Sequence, residues 1–83
     1  VGGMTLGADP IATAASLAAF ARSLIWPAFI VRKDPKDHGT GKYVEGAENL
    51  VKGSKLLVVE DVVTTGGSSI KAIDSLQAEG YEI

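Results

Sequence analysis

The chain has 83 residues with no cysteine, one histidine, and eight Lys/Arg against ten Asp/Glu, for a net charge of −2. That length allows at most one small domain; the missing cysteines exclude a disulfide framework and a Cys/His zinc site, and a pI near 5.2 excludes nucleic-acid binding through bulk charge. A hydrophobic content of 46% against 22% charged residues excludes disorder by composition and predicts a globular chain of a reducing compartment, the cytoplasm.

Val1–Ala8 reads as a strand end running into a turn, with Gly2, Gly3 and Gly7 permitting positive φ. Asp9-Pro10 predicts a helix start, Asp9 as N-cap and Pro10 at the first helical position. Ile11, Ala14, Ala15, Ala18, Ala21 and Leu24/Ile25 recur near helical spacing, which predicts an alanine-lined buried face and a helix that cannot continue past Pro27. Arg22 and polar residues interrupt this stretch, so it falls short of the ~20 apolar residues of a membrane span. The opening also lacks the basic flank and apolar run of a signal peptide.

Ala28–Val31 is a short apolar run of β-formers and predicts a buried strand. From Arg32 to Gly46 charged residues and glycine take over and apolar periodicity vanishes, the pattern of a long functional loop. A short connection follows over Asn49–Lys55, turning at Gly53-Ser54. Leu56–Val59 predicts a second buried strand ending in Glu60-Asp61, and the polar run Thr64–Ser69 leads into a helix. That helix would bury Ile70, Ile73 and Leu76/Gln77 and be capped by Gly80. Tyr81–Ile83 reads as the start of another strand. Strands alternating with helices predict an α/β fold, a parallel sheet with helices on both faces. The glycine-bearing opening without an initiator Met and the unfinished strand at Ile83 predict the central part of a larger protein, truncated at both ends.

The segment 56–69 carries the most chemistry. An open α/β sheet binds ligands at the carboxyl ends of its strands, and there this strand delivers two adjacent carboxylates. Hydroxyls and two glycines follow, directly before a helix whose first N–H groups and partial positive charge suit a phosphate. Carboxylates suit neutral hydroxyls or a bound metal instead. Together the two ends fit a ribose 5-phosphate. A capped turn beside a solvated acidic pair is the simpler alternative. The glycines are not followed by Lys-Ser/Thr, so this is not a Walker loop, and G-x-G-x-x-G is missing too.

Glu60–Ser69 resembles the phosphoribosyl-pyrophosphate (PRPP) motif of type I phosphoribosyltransferases. The resemblance implies that Glu60 and Asp61 hold the ribose hydroxyls, that Val62 and Val63 belong to the PRPP-binding residues, and that the loop of Thr64, Thr65, Gly66, Gly67 and Ser68 anchors the 5-phosphate. The first acid, Glu60, is one methylene longer than the aspartate often found there. On this reading residues 1–83 form a partial phosphoribosyltransferase domain of the type I fold, with a catalytic loop at 32–46 and the PRPP-binding strand and loop at 56–69.

The segment Arg32–Lys42 holds four of the eight Lys/Arg and the single histidine, His38. In an acidic chain such clustering aims a local field at an anion, although Asp34 and Asp37 also allow a solvated charged loop. The spacing Arg-Lys-x-x-Lys-x-His-Gly-x-Gly is similar to the catalytic loop of orotate phosphoribosyltransferases. That resemblance implies that Arg32, Lys33, Lys36 and His38 bind PRPP, chiefly its pyrophosphate, across the interface of a homodimer. It also implies that Thr64 touches orotate, that Lys36, His38 and Asp61 take part in catalysis, and that Mg²⁺ is held mainly through PRPP, with no metal site of the protein's own. The implied reaction converts orotate and PRPP to orotidine 5′-phosphate and pyrophosphate, with no nucleic acid or membrane involved. A purine-type phosphoribosyltransferase, or a PRPP-sensing regulator without turnover, shares the Glu60–Ser69 motif and is the alternative.

Overall fold

The computed structural model describes residues 1–34, 43–63 and 65–83. In chain order the elements are strand β1 (Gly2–Met4), helix α1 (Ala8–Ala21), strand β2 (Phe29–Val31), strand β3 (Val44–Glu45), a single 3₁₀ turn (Ala47–Asn49) and helix α2 (Gly67–Ala78). β1 and β2 pair in parallel, Gly2 opposite Phe29 and Met4 opposite Val31. The expected strand Leu56–Val59 lies along the other edge of β1. There the Gly2 amide donates to the Leu57 carbonyl at 3.0 Å and the Val59 amide to the Gly2 carbonyl at 2.8 Å. Beyond it, Glu82 pairs in parallel with Lys55, so the terminal stretch does enter the sheet. These two additions are single bridges rather than full ladders.

The loop expected over 32–46 contains a strand that its sequence did not announce. β3 returns antiparallel to β2, with Val44 opposite Val31 and Glu45 opposite Ile30. Two residues between a charged run and Gly46 carry too little pattern to mark a strand.

Side chains alternate across a strand, and β1 puts different helices on its two faces. On one face Met4, Phe29, Val31, Val44, Leu56, Ala72 and Leu76 form the core, with α2 supplying the last two. On the other face Gly3 meets α1, where a Cβ at Gly3 would stand 2.8 Å from the Cβ of Ala8. The layers are therefore those expected, helices on both faces of a mainly parallel sheet.

Several local expectations need correction. Gly2, Gly3 and Gly7 do not adopt positive φ; they are small because neighbouring atoms leave no space for a Cβ. The N-cap of α1 is Gly7, not Asp9. Asp9 sits in the first turn, where a carboxylate favours the helix dipole, and accepts the Thr5 hydroxyl at 2.7 Å. The helix stops before Pro27 could stop it. Ser23 takes a left-handed φ of 63°, and the Leu24 amide reaches back to the Ala19 carbonyl at 2.9 Å, as in a Schellman-type ending.

The buried faces of both helices are rotated from those expected. In α1 the buried residues are Ala8, Ala12 and Ala19, not the row through Ile11, Ala14 and Ala18. A helix apolar on every side offers periodicity no contrast, and the closest approach to the sheet selects the smallest side chains. In α2 Leu76 is buried as expected, but Ala72 rather than Ile73 packs one turn before it, and Ile70 is 57% exposed. The Gly80 cap is present, at φ 94°.

Candidate functional site

Three segments meet at the carboxyl end of the parallel strands: the turn 5–7 after β1, Arg32–Asp34 after β2, and the run from Glu60 that leads into α2. Contacts between them define a site. The Asp61 carboxylate lies so close over Gly7 that a Cβ there would overlap its oxygens. Any side chain at residue 7 would push the acid away.

Glu60 points back to the helix, where its Oε2 accepts a hydrogen bond from the Ser69 hydroxyl at 3.1 Å. Gly66 turns the chain into α2 with a left-handed φ of 83°, a conformation that side chains resist. The Thr65 hydroxyl accepts from the Gly67 amide at 3.3 Å. The remaining first-turn amides of a helix have no partner within it. Glu60, Val62, Val63, Thr65, Gly66, Gly67, Ser68 and Ser69 line a cavity of about 50 Å³ at this point. Sites that enclose a whole small-molecule ligand span roughly 300–1,000 Å³, so this one suits a single small group such as a phosphate. Val62 and Val63 are exposed, so they contribute backbone rather than packing.

The root of the basic segment is tied to both neighbours. Arg32 Nη1 donates to Glu45 Oε1 at 3.1 Å, with both side chains about two-fifths exposed, so the pair adds at most about 1 kcal/mol. Its backbone amide donates to the Tyr43 carbonyl at 2.6 Å. The ammonium of Lys71, on α2, donates to the Lys33 carbonyl at 2.6 Å. Lys36, His38 and Thr64 lie outside the described residues. Glu60, Asp61, Thr65–Ser68, Arg32 and Lys33 thus gather at one edge of the sheet.

Sequence reasoning missed Gly7, Glu45, Ser69 and Lys71. Ser69 closes the polar run and the motif without being given a role, and Lys71 lies two residues on in the first turns of the same helix, a signal available in the helical register. Glu45 and Gly7 act through pairings between segments distant in sequence, which one sequence does not display.

A larger groove, about 770 Å³, is lined by Val1, Trp26, Leu56 and Ile83 among others. It opens at the amino ends of the strands, and its mainly apolar wall does not suit a polyanion. Among the described residues no three His, Cys, Asp or Glu side chains come together as a metal site. Glu60 and Asp61 are hard oxygen donors of the kind that Mg²⁺ accepts.

An acid pair and a glycine turn at the strand ends of an α/β sheet, feeding a helix that caps a phosphate-sized cavity, define a class. Residues 12–83 match the model of the phosphoribosyl transferase domain, and the chain belongs to that family. Within it, the whole chain is 53% identical to an orotate phosphoribosyltransferase of Nostoc sp., covering 40% of that protein. It is 46% identical to the enzyme of the same name from Sorangium cellulosum, covering 43%. Among solved structures it resembles the Mycobacterium tuberculosis orotate phosphoribosyltransferase determined with Fe(III) dicitrate, with a TM-score of 0.73 and 43% identity over 98% of this chain and 43% of that one. A phosphoribosyltransferase from Corynebacterium diphtheriae gives a TM-score of 0.77 at 44% identity, over 98% of this chain and 44% of that one. The chain spans about two-fifths of the length of the curated relatives it matches.

Proposed function

We propose that the complete enzyme carrying this chain transfers the phosphoribosyl group of PRPP to orotate, giving orotidine 5′-phosphate and pyrophosphate, in pyrimidine biosynthesis. The observation that carries the reading is the gathering of the Asp61 and Glu60 carboxylates beside the first turn of α2. Acceptors for sugar hydroxyls then stand next to donors for a phosphate. Kinship to relatives named for orotate supports the choice of base.

On this reading Glu60 and Asp61 accept hydrogen bonds from the ribose hydroxyls. The backbone of Val62 and Val63, with Thr64, Thr65, Gly66, Gly67 and Ser68, holds the 5-phosphate, and Thr64 also touches orotate. Arg32, Lys33, Lys36 and His38 meet the pyrophosphate, contributed across the interface of a homodimer. Arg32 keeps donors for this role, because a guanidinium has five N–H groups and the contacts to Glu45 and to the Asp34 carbonyl use two.

The chemistry follows from where charge develops. As the bond from the anomeric carbon to pyrophosphate breaks, that carbon becomes cationic and the leaving group gains negative charge. Asp61 and Glu60 place negative potential near the first, while Lys36 and His38 take up the second, so preorganised charges act on both ends of the breaking bond. An orotate nitrogen closes the new bond to the same carbon, and the proton it carried is released to the pyrophosphate or to solvent. Mg²⁺, when bound, supplies further neutralisation of the diphosphate. We place the activity in the cytoplasm; no helix among the described residues is long and apolar enough to cross a membrane.

Loss of orotate absorbance in the presence of PRPP and Mg²⁺ tests the reading, and turnover of a purine base with none of orotate overturns it. In the same assay Lys36→Ala is expected to lower kcat about 10²–10³-fold, with PRPP affinity nearly unchanged. Equal losses in both would assign Lys36 to ground-state binding.

A further inference from the structure

Ser69 lies just beyond the run assigned to the phosphate; it lines the same cavity, and its hydroxyl is bonded to Glu60. The bond from Ser69 Oγ to Glu60 Oε2 is 3.1 Å long and partly buried. The helix that carries Ser69 is rooted in the core by Ala72 and Leu76, both with no exposed surface. The hydroxyl therefore stands on a fixed base.

Glutamate has one more rotatable bond than aspartate, so an unrestrained Glu60 carboxylate would sweep several rotamers at the mouth of the site. One donated hydrogen bond selects among them. It occupies a single acceptor position and leaves the other oxygen, with its lone pairs, for incoming hydroxyls.

We propose that Ser69 is a positioning residue, holding the Glu60 carboxylate in the orientation that accepts the sugar hydroxyls of the phosphoribosyl substrate. The proposal rests on the reading of Glu60 as a sugar ligand. A serine at this point of a helix can instead serve only the helix start, and the two roles separate experimentally.

The test uses the complete enzyme as wild type, Ser69→Ala, Ser69→Thr, Glu60→Ala and the Ser69→Ala/Glu60→Ala double variant. PRPP affinity is measured by calorimetry, and inorganic phosphate is titrated as a probe of the 5-phosphate cavity alone. Alanine is the better helix former, so Ser69→Ala is expected to fold.

Ser69→Ala should weaken PRPP about fivefold to tenfold, the size of one ordinary hydrogen bond, and weaken inorganic phosphate by a clearly smaller factor, since the sugar hydroxyls are absent from that probe. Ser69→Thr, which keeps the hydroxyl, should restore PRPP binding. In the Glu60→Ala background the Ser69→Ala change should add nothing. Unchanged PRPP affinity in Ser69→Ala, equal weakening of PRPP and phosphate, or additivity in the double variant each overturns the proposal while Glu60 remains a sugar ligand. If Glu60→Ala itself leaves PRPP affinity intact, the reading of Glu60 fails, and the role of Ser69 falls with it.

Discussion

The two faces of the sheet are held by different means. On the α2 side large side chains fill volume: Phe29, Val31 and Leu76 are almost completely buried, with Met4 and Leu56 around them. On the α1 side closeness replaces volume, with Ala8 set against Gly3 and the outward side chains Leu17 and Phe20 left 68% and 74% exposed. The difference has a functional side. The well-rooted helix carries the side chains that hold the site, Ser69 on Glu60 and Lys71 on Lys33. The closely fitted face contributes the backbone of the turn at Gly7, on which Asp61 rests.

The contrast can be broken first at its strongest point. Phe29→Ala empties the centre of the α2 face and is expected to cost about 3–5 kcal/mol, read as a loss of the cooperative unfolding transition in denaturant. Gly3→Ala attacks the opposite face by overpacking, since the added methyl would press on Ala8 and on the Val59 carbonyl. A cost of about 1–3 kcal/mol should appear in the same titration, and a neutral result would show that α1 can move off the sheet.

Gly7→Ala is a more local probe. The backbone there, φ −61° and ψ −36°, suits alanine, so the whole effect comes from displacing Asp61. PRPP affinity should fall about tenfold, or roughly 1.4 kcal/mol, with a smaller change in Tm. Leu17→Gln, on the exposed side of α1, should stay within about 0.5 kcal/mol in the 83-residue chain. A larger loss in the complete enzyme would identify that surface as covered there.

The sequence was most legible where backbone and pattern agree. The apolar runs 29–31 and 56–59 become sheet segments, Gly80 caps its helix, and the acid pair stands at a strand end beside a helix start. It was least legible where contacts join distant segments. The face of an alanine-rich helix is decided by clearance against Gly3, which hydropathy does not encode. The strand Val44–Glu45 exists because β2 offers it an edge. Ser23 ends α1 through its left-handed backbone, while the sequence advertised Pro27. At the site the residue types were readable, but Gly7 under Asp61 and Glu45 opposite Arg32 are products of the fold.

The amide of Arg32 on the carbonyl of Tyr43 also fixes a tether. Ten residues of sequence, 33–42, separate the two partners of this bond, so the bond itself closes a circuit of the chain. Fully drawn out, five residues each way at about 3.3–3.6 Å per residue reach no more than ~18 Å from that clasp. Joining the ends of such a circuit costs roughly 2 kcal/mol of chain entropy, and the pairing of β2 with β3 meets it during folding. On the proposed reading, an anion engaged by Lys36 and His38 lies within that radius extended by the length of a side chain, and the substrate that brings it is spared that part of the ordering.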